Sequence, residues 1–118
     1  MVFNIVARNH DDHSKIFAFL LIDNKWQLSP AYDLAYSYKP GSKWVNSHWM
    51  SLNGKRDNFT REDIYSLEKL IPSFTKPKIN KVVDKTIENV ANWNVLAKAN
   101  DVPQFLIKEV NANLRLAL

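Results

Sequence analysis

The chain has 118 residues and contains no cysteine. Disulfide bonds and thiolate metal sites are therefore excluded, and cysteine usage gives no guide to the redox compartment. Its longest apolar run, which includes Phe17 to Ile22, is far shorter than the roughly 20 apolar residues that a membrane-spanning helix needs. The first residues, Met1 to Ile5, lack the basic start, apolar stretch and cleavage site of a secretory signal. We therefore expect a cytoplasmic protein that does not contact the membrane.

Internal repeats, low-complexity tracts and dense basic stripes are also missing. The formal net charge is +4 and the isoelectric point is near 9.4. The basic residues are nevertheless spread along the chain, and only Lys55–Arg56 and Lys76–Lys78 form small groups. A nucleic-acid surface normally has a denser stripe or a docking motif. We expect a solvated basic surface and no direct nucleic-acid binding, with attraction to phosphate-bearing partners as a lesser role.

The composition is that of an ordinary globular protein, with 46% hydrophobic and 24% charged residues. This length allows one domain, residues 1–118, with a single modest core. Four tryptophans supply large, rigid pieces for a core or an interface. The only plausible internal boundary is functional and lies near Asn53-Gly54, which separates residues 1–54 from residues 55–118.

The first part of the chain reads as a helix that leads into a hairpin. Met1–Arg8 is predicted to form the last turns of a helix. Ile16–Leu21 is apolar on both faces, which predicts a strand buried on two sides. Asp23–Lys25 is a turn signal, and Trp26–Leu28 alternates as the returning strand. Trp49–Asn53 is predicted to form another short strand.

The second part is predicted to contain three helices. The first begins after Thr60 as N-cap, with Asp63 in the position of the acidic residue of a capping box, and continues to about Leu70. The second begins near Pro77 and the third at Asp101, as N-cap before Pro103. Residues expected to face the core are Ile79, Val82, Val83, Ile87 and Val90 in the second helix and Leu106, Ile107, Val110, Leu114 and Leu118 in the third. The predicted fold class is α+β, mostly α.

Two acidic loops flank the predicted hairpin. Asp11 lies before its first strand, and Asp33 follows its second strand after Pro30. Phosphoryl transfer from ATP needs an Asp that accepts the proton of the attacking hydroxyl and oxygen ligands that hold magnesium on the phosphates. Asp11 is placed for the first role and Asp33 for the second, and Lys15 lies within reach of a transferring phosphate.

The chain resembles the HipA-like serine/threonine kinases, which are the toxin components of bacterial toxin–antitoxin pairs. The segments that carry the resemblance extend over nearly the whole chain: Val2–Asn4, Asp11–Lys15, Leu28–Leu34, Leu52–Lys55, Phe59–Asp63, Trp93 and Val102-Pro103. The resemblance implies the C-terminal lobe of a kinase-like fold, with the acidic loops on a short β-hairpin before a helical bundle. It also implies Asp11 as catalytic base, Lys15 as a cofactor-binding residue and Asp33 as a magnesium ligand.

The same resemblance implies Mg²⁺ and ATP as cofactors and a protein as substrate. The expected partners are an antitoxin-like DNA-binding protein, an N-terminal kinase lobe that these residues lack, or a second copy of the chain. Two departures argue against activity of the isolated chain. The family usually has Lys-Asn-Phe where this chain has Lys15-Ile16-Phe17, and Ile16 offers no oxygen to a metal ion. The lobe that grips ATP is absent.

Other interpretations stay open at this point. The chain is alternatively a catalytically dead binding module or a folded remnant. His10, Asp11, Asp12 and His13 together are a weak candidate for a transition-metal or hydrolase site, because neighbouring residues rarely point at one ion. Asp12 and Lys15 are alternatively solvated, and Asp33 is alternatively a turn residue. His13 is expected to stabilise its loop by a hydrogen bond.

Overall fold

Five α-helices and one two-stranded hairpin make up the chain, and the computed structural model describes residues 1–118. The elements are α1 (Val2–Ala7), β1 (Phe19–Ile22), β2 (Lys25–Leu28), α2 (Arg61–Tyr65), α3 (Lys76–Ala91), α4 (Trp93–Ala99) and α5 (Gln104–Asn113). Two 3₁₀ turns lie at Ser14–Ile16 and Ser66–Lys69. The predicted α+β, mostly helical class is confirmed. None of these helices combines the length and apolar character that a membrane crossing requires.

The hairpin forms as predicted, but its environment differs from the prediction. β1 and β2 are antiparallel, with Ile22 paired to Lys25 across a two-residue turn. Asp23 and Asn24 occupy that turn with φ values of 49° and 58°, the left-handed pair that a type I′ turn requires. Every residue of both strands is exposed. The expectation of a strand buried on two sides is therefore wrong, because no other element of the chain covers this two-stranded sheet.

The core lies where α1, α2 and α3 meet the loop that precedes α2. Its central buried side chains are Ile5, Leu52, Phe59, Ile64, Ile79 and Val83. In α3 the predicted apolar stripe is buried at Ile79, Val83 and Val90, whereas Val82 stays 47% exposed. The stripe is thus narrower than its sequence pattern indicates.

The predicted start of α2 is confirmed in detail. Thr60 accepts a hydrogen bond from the backbone N–H of Asp63, and the Asp63 side chain accepts one from the backbone N–H of Thr60. The same carboxylate accepts hydrogen bonds from Asn53 and Lys55 at 2.8 and 2.9 Å. One buried acid therefore joins the helix cap to the turn at Asn53-Gly54. The α-helix itself ends at Tyr65 and continues as a 3₁₀ turn to Lys69.

Three other expectations need correction. Trp49–Asn53 forms no strand, and only an isolated bridge joins Leu52 to Lys55. The last helix begins at Gln104 with Pro103 as its cap, because Asp101 adopts a φ of 54° within the preceding turn. α5 ends at Asn113, so the expected inward-facing leucines at 114 and 118 lie beyond the helix. α4 was not predicted, since it is short and follows α3 after a single residue.

Candidate functional site

The first acidic loop, which contains Asp11, begins where α1 ends. Arg8 ends the helix in a left-handed conformation with φ 59°, and the backbone N–H of Asn9 donates to the carbonyl of Asn4 at 2.9 Å. The next residues pair with the segment after the hairpin, because His10 N–H donates to Ser37 O at 3.2 Å and Ser37 N–H donates to Arg8 O at 3.0 Å. The loop that contains Asp11 is therefore anchored at its start by a helix end and a parallel bridge.

Asp11 and Asp12 are neighbours with opposite environments. The Asp11 side chain is 49% exposed, and its carboxylate lies 3.6 Å from His13 Nε2. The Asp12 side chain is completely buried, with Oδ2 2.7 Å from His48 Nδ1. Asp12 Oδ1 accepts the backbone N–H groups of Trp49 and Met50 at 2.8 and 3.1 Å. The interpretation of Asp12 as a solvated side chain is thus wrong, and Asp11 is the acid that remains accessible.

The loop then forms a 3₁₀ turn over Ser14–Ile16. His13 caps this turn, since its Nδ1 accepts the backbone N–H of Lys15 at 3.2 Å. The predicted loop-stabilising role of His13 is confirmed. Ile16 is buried, with 8% exposure, in an apolar groove that also contains Phe17, Tyr32 and Leu34.

The second acidic loop is joined to the first by the hairpin and by a side chain. Ser29 N–H donates to Ala18 O at 2.9 Å, which extends the strand pairing towards both loops. The Tyr32 hydroxyl donates to the backbone carbonyl of Lys15 at 2.9 Å. Asp33 follows directly, is exposed, and has a φ of 52°. Because the strands are antiparallel, the entry to β1 and the exit from β2 lie at the same end of the hairpin.

An open cavity of about 420 Å³ lies over the first loop. Its lining residues are Asp11, His13, Ser14, Lys15, Trp44 and Trp49. The indole rings of Trp44 and Trp49 are stacked, with centroids 6.3 Å apart. Asp11 and Lys15 therefore share this cavity, whereas Asp33 is not part of its lining.

Burial and neighbouring groups lower the pKa values of both His10 and Asp12. Burial and then the nearby His48 and Arg8 side chains lower the pKa of His10 to about 4. Burial alone would raise the pKa of the Asp12 carboxyl, but the hydrogen bonds from His48, Met50 and Trp49 together lower it. Asp12 is therefore a carboxylate and His10 a neutral imidazole at neutral pH.

The oxygen atoms that the two acidic loops offer can be compared with the ligands that a magnesium ion requires. Mg²⁺ commonly takes one or two carboxylates and completes its octahedron with water and phosphate oxygens. Asp11 and Asp33 are the accessible carboxylates of the two loops, and Ile16 replaces the amide that a second ion would need. No group of three or more His, Asp or Glu side chains gathers in a metal-binding arrangement. A single magnesium ion held largely by water and phosphate would need only these carboxylates from the chain, and Ile16 offers no oxygen for another ion.

A family model named HipA-like C-terminal domain matches residues 1–94. The chain belongs to this family. No curated protein and no solved structure matches the chain.

The HipA-like match includes every candidate site residue and ends just inside α4. Sequence reasoning named Asp11, Lys15 and Asp33 for the site, and the structure places the first two in one cavity. It missed His48, which contacts Asp12 from 36 positions away. A buried role for His48 has no local signal, because its flanking residues form a loop without periodicity. The HipA-like resemblance did not include His48 either.

Proposed function

We propose that this chain is the catalytic-loop lobe of a HipA-like serine/threonine protein kinase. The observation that supports the proposal best is the linkage of the two acidic loops, in which Tyr32 bonds to Lys15 at the end of the hairpin. This arrangement matches the kinase scheme, in which one Asp orients the attacking hydroxyl and a second, later Asp holds the metal. Membership of the HipA-like family supports it independently.

In this proposal the roles follow from exposure and chemistry. Asp11 accepts a hydrogen bond from a Ser or Thr hydroxyl of the substrate and takes its proton as the hydroxyl oxygen attacks the γ-phosphorus of ATP. The bond from the γ-phosphorus to the β,γ-bridging oxygen breaks, and ADP leaves. Lys15 contacts the transferring phosphate. Asp33 holds magnesium, which supplies charge neutralisation at the phosphate oxygens when bound.

As part of this proposal, we expect the isolated chain to have weak kinase activity or none. Its two glycines, Gly41 and Gly54, lie in separate turns, so these residues contain no glycine-rich loop to cover phosphates. Ile16 removes the second metal ligand. The nucleotide-gripping elements would come from other polypeptide, and a protein hydroxyl in the cytoplasm would be the acceptor.

A chimera tests the kinase proposal. Residues 1–118 would replace the equivalent domain of an active HipA-like kinase, and transfer of the γ-phosphate of radiolabelled ATP to protein would be measured. We expect low activity that Asp11→Asn reduces by about 10²- to 10⁴-fold, the usual contribution of a general base. Asp101→Asn is the control, because it makes the same substitution at an exposed Asp that lies in a turn outside the two acidic loops. An active chimera that Asp11→Asn leaves unchanged would refute the assignment.

A second candidate function, a binding module, is favoured by the exposed apolar surface of the hairpin. Trp26 is 71% exposed, and the whole of β1 is apolar and uncovered. The chain exposes 8147 Å², whereas a monomer of its mass, 13.7 kDa, exposes about 6,600 Å². The excess of about 1,500 Å² is the area that one partner contributes to a large, stable interface.

We propose that a second copy or an antitoxin-like DNA-binding protein covers this surface, and self-association is the simpler case to test. Sedimentation of the wild type should reveal a dimer, and Leu21→Lys in β1 should shift it to monomer. Val95→Lys is the control, because Val95 is also exposed, at 69% against 56% for Leu21, but lies on α4. A wild type that stays monomeric at all concentrations would count against self-association.

A further inference from the structure

The carboxylate of Asp12 is the most fully bonded group near the proposed site, although it cannot contact a ligand. Its two oxygens receive three hydrogen bonds, from His48 Nδ1 and from the backbone N–H groups of Trp49 and Met50. With no exposed side-chain area, it is closed to substrate and solvent. Asp12 therefore fixes its own backbone, and with it the adjacent Asp11, to the segment 48–50.

The partner segment is itself held in place. His48 N–H donates to the carbonyl of Arg56 at 2.9 Å, and Arg56 Nε donates to the carbonyl of His48 at 2.5 Å. The imidazole of His48 lies against the rings of His10 and Phe59, with centroid distances of 4.0 and 5.3 Å. Asp12 is thus attached to a rigid element of the core rather than to a free loop.

The hydrogen bonds also determine where the protons lie. Arg8 can only donate, so its contact at 3.4 Å makes His10 Nε2 an acceptor and places the His10 proton on Nδ1. The ionised Asp12 can only accept, so His48 Nδ1 carries a proton. His10 Nδ1 and His48 Nε2 are both buried without a hydrogen-bond partner, and in this tautomer His10 Nδ1 is a donor. The two rings lie against each other at an interplanar angle of 35°, without a hydrogen bond between them.

We propose that Asp12, His48 and His10 are positioning residues that hold Asp11 in its working orientation. Arg8, His10, His48 and Asp12 lie in contact in that order, with ring packing between the two histidines, and together they connect the end of α1 to the loop before the 3₁₀ turn. The catalytic part of this inference rests on the proposed kinase function, whereas the positioning part concerns the loop alone. A metal site at the histidines is not supported, since Asp12 already occupies His48 Nδ1 and no third ligand is present.

The test compares variants that change the hydrogen bond between Asp12 and His48 from one partner or the other. Asp12→Asn removes the charge, and His48→Phe keeps an aromatic ring between His10 and Phe59 but removes the donor. Asp63→Asn is the matched control, because Asp63 is an equally buried and fully bonded carboxylate in the cap of α2. All variants are compared at a temperature at which circular dichroism shows that they are folded.

Nuclear magnetic resonance of the isolated chain decides the positioning part. We expect wild-type His10 to be protonated at Nδ1 and unprotonated at Nε2, and His48 to carry a proton on Nδ1. Asp12→Asn and His48→Phe should both accelerate amide hydrogen exchange at Trp49 and Met50 by about ten- to a hundredfold and should shift the resonances of Asp11. The double variant should be no worse than either single variant. Unchanged Asp11 resonances and exchange rates, relative to Asp63→Asn, would overturn the proposal.

Kinetics of the chimera decide the catalytic part. Asp12→Asn should lower kcat by about tenfold or more and leave the KM for ATP unchanged, whereas Asp63→Asn should leave both unchanged. Equal effects of the two variants would reduce Asp12 to a purely structural residue and refute the proposal. If the unmodified chimera transfers no phosphate, the kinase function fails, and the resonance measurements on the isolated chain still decide whether Asp12 positions the loop.

Discussion

Acid should destabilise this domain through a single histidine. His10 is completely buried, and burial, followed by the nearby His48 and Arg8 side chains, lowers its pKa from 6.5 to about 4. The folded state therefore binds the proton less well than the unfolded state. Stability that depends on neutral His10 is fully present above about pH 6.5 and is lost as the pH falls towards 4.

The magnitude follows from the two pKa values. With 6.5 in the unfolded chain and about 4 in the folded one, the free energy of unfolding decreases by about 2 kcal/mol between about pH 7.5 and about pH 5. By about pH 4 the loss reaches about 3 kcal/mol. This is a large part of the 5–15 kcal/mol that stabilises a typical domain. Asp12 contributes in a separate window, since its lowered pKa places its titration below 3.8.

Urea unfolding followed by tryptophan fluorescence measures this effect, because the chain has four tryptophans. His13→Gln is the control variant, because it removes the half-buried histidine of the same loop and leaves His10 in place. His10→Gln should be less stable at neutral pH but should lose about 2 kcal/mol less between about pH 7.5 and about pH 5. If His10→Gln and the wild type have the same pH dependence, the assignment of the effect to His10 is refuted.

Three further variants test other parts of the account. Ile16→Asn should strengthen Mn²⁺ binding severalfold in calorimetry if Asp33 is a ligand, whereas Ile16→Leu should not, and equal affinities would remove that role from Asp33. Asp63→Asn should lower the free energy of unfolding by about 2–3 kcal/mol in urea, because it weakens charge-assisted bonds at a helix cap; a loss below about 0.5 kcal/mol would contradict this. Asp57→Asn should cost a similar amount, since Asp57 is the acidic partner of two arginines that join α1 to the C-terminal segment, and an unchanged urea midpoint would show that these ion pairs contribute little.

The parts of the fold that sequence predicted correctly depend on local chemistry. Thr60 and Asp63 are three residues apart, and the cap they form needs no other part of the chain. The turn of Asp23 and Asn24 likewise follows from residues that tolerate a positive φ. Asp11 and Asp33 became candidates because they flank this hairpin.

The parts that were missed depend on contacts between distant residues or on a covering partner. Asp12 is buried only because His48 and the two N–H groups after it reach back across the core. β1 was predicted to be buried because apolar runs usually lie inside, yet the chain supplies nothing to cover it. Asp is a residue type that commonly forms an N-cap. Asp101, however, has a positive φ and lies two residues before Pro103, which is the N-cap of α5.

The central claim is that Asp11 and Asp33 lie close to one magnesium ion beyond the open end of the hairpin, with Asp33 as its ligand and Asp11 as the neighbouring base. Paramagnetic broadening by Mn²⁺ tests this most directly, because the broadening falls off steeply with distance from the ion. We expect the backbone amide signals of both residues to broaden together at the same ion concentration, with that of Asp101 unaffected. Broadening at only one of the two, or equally at Asp101, would contradict a shared site and with it the proposed phosphotransfer role.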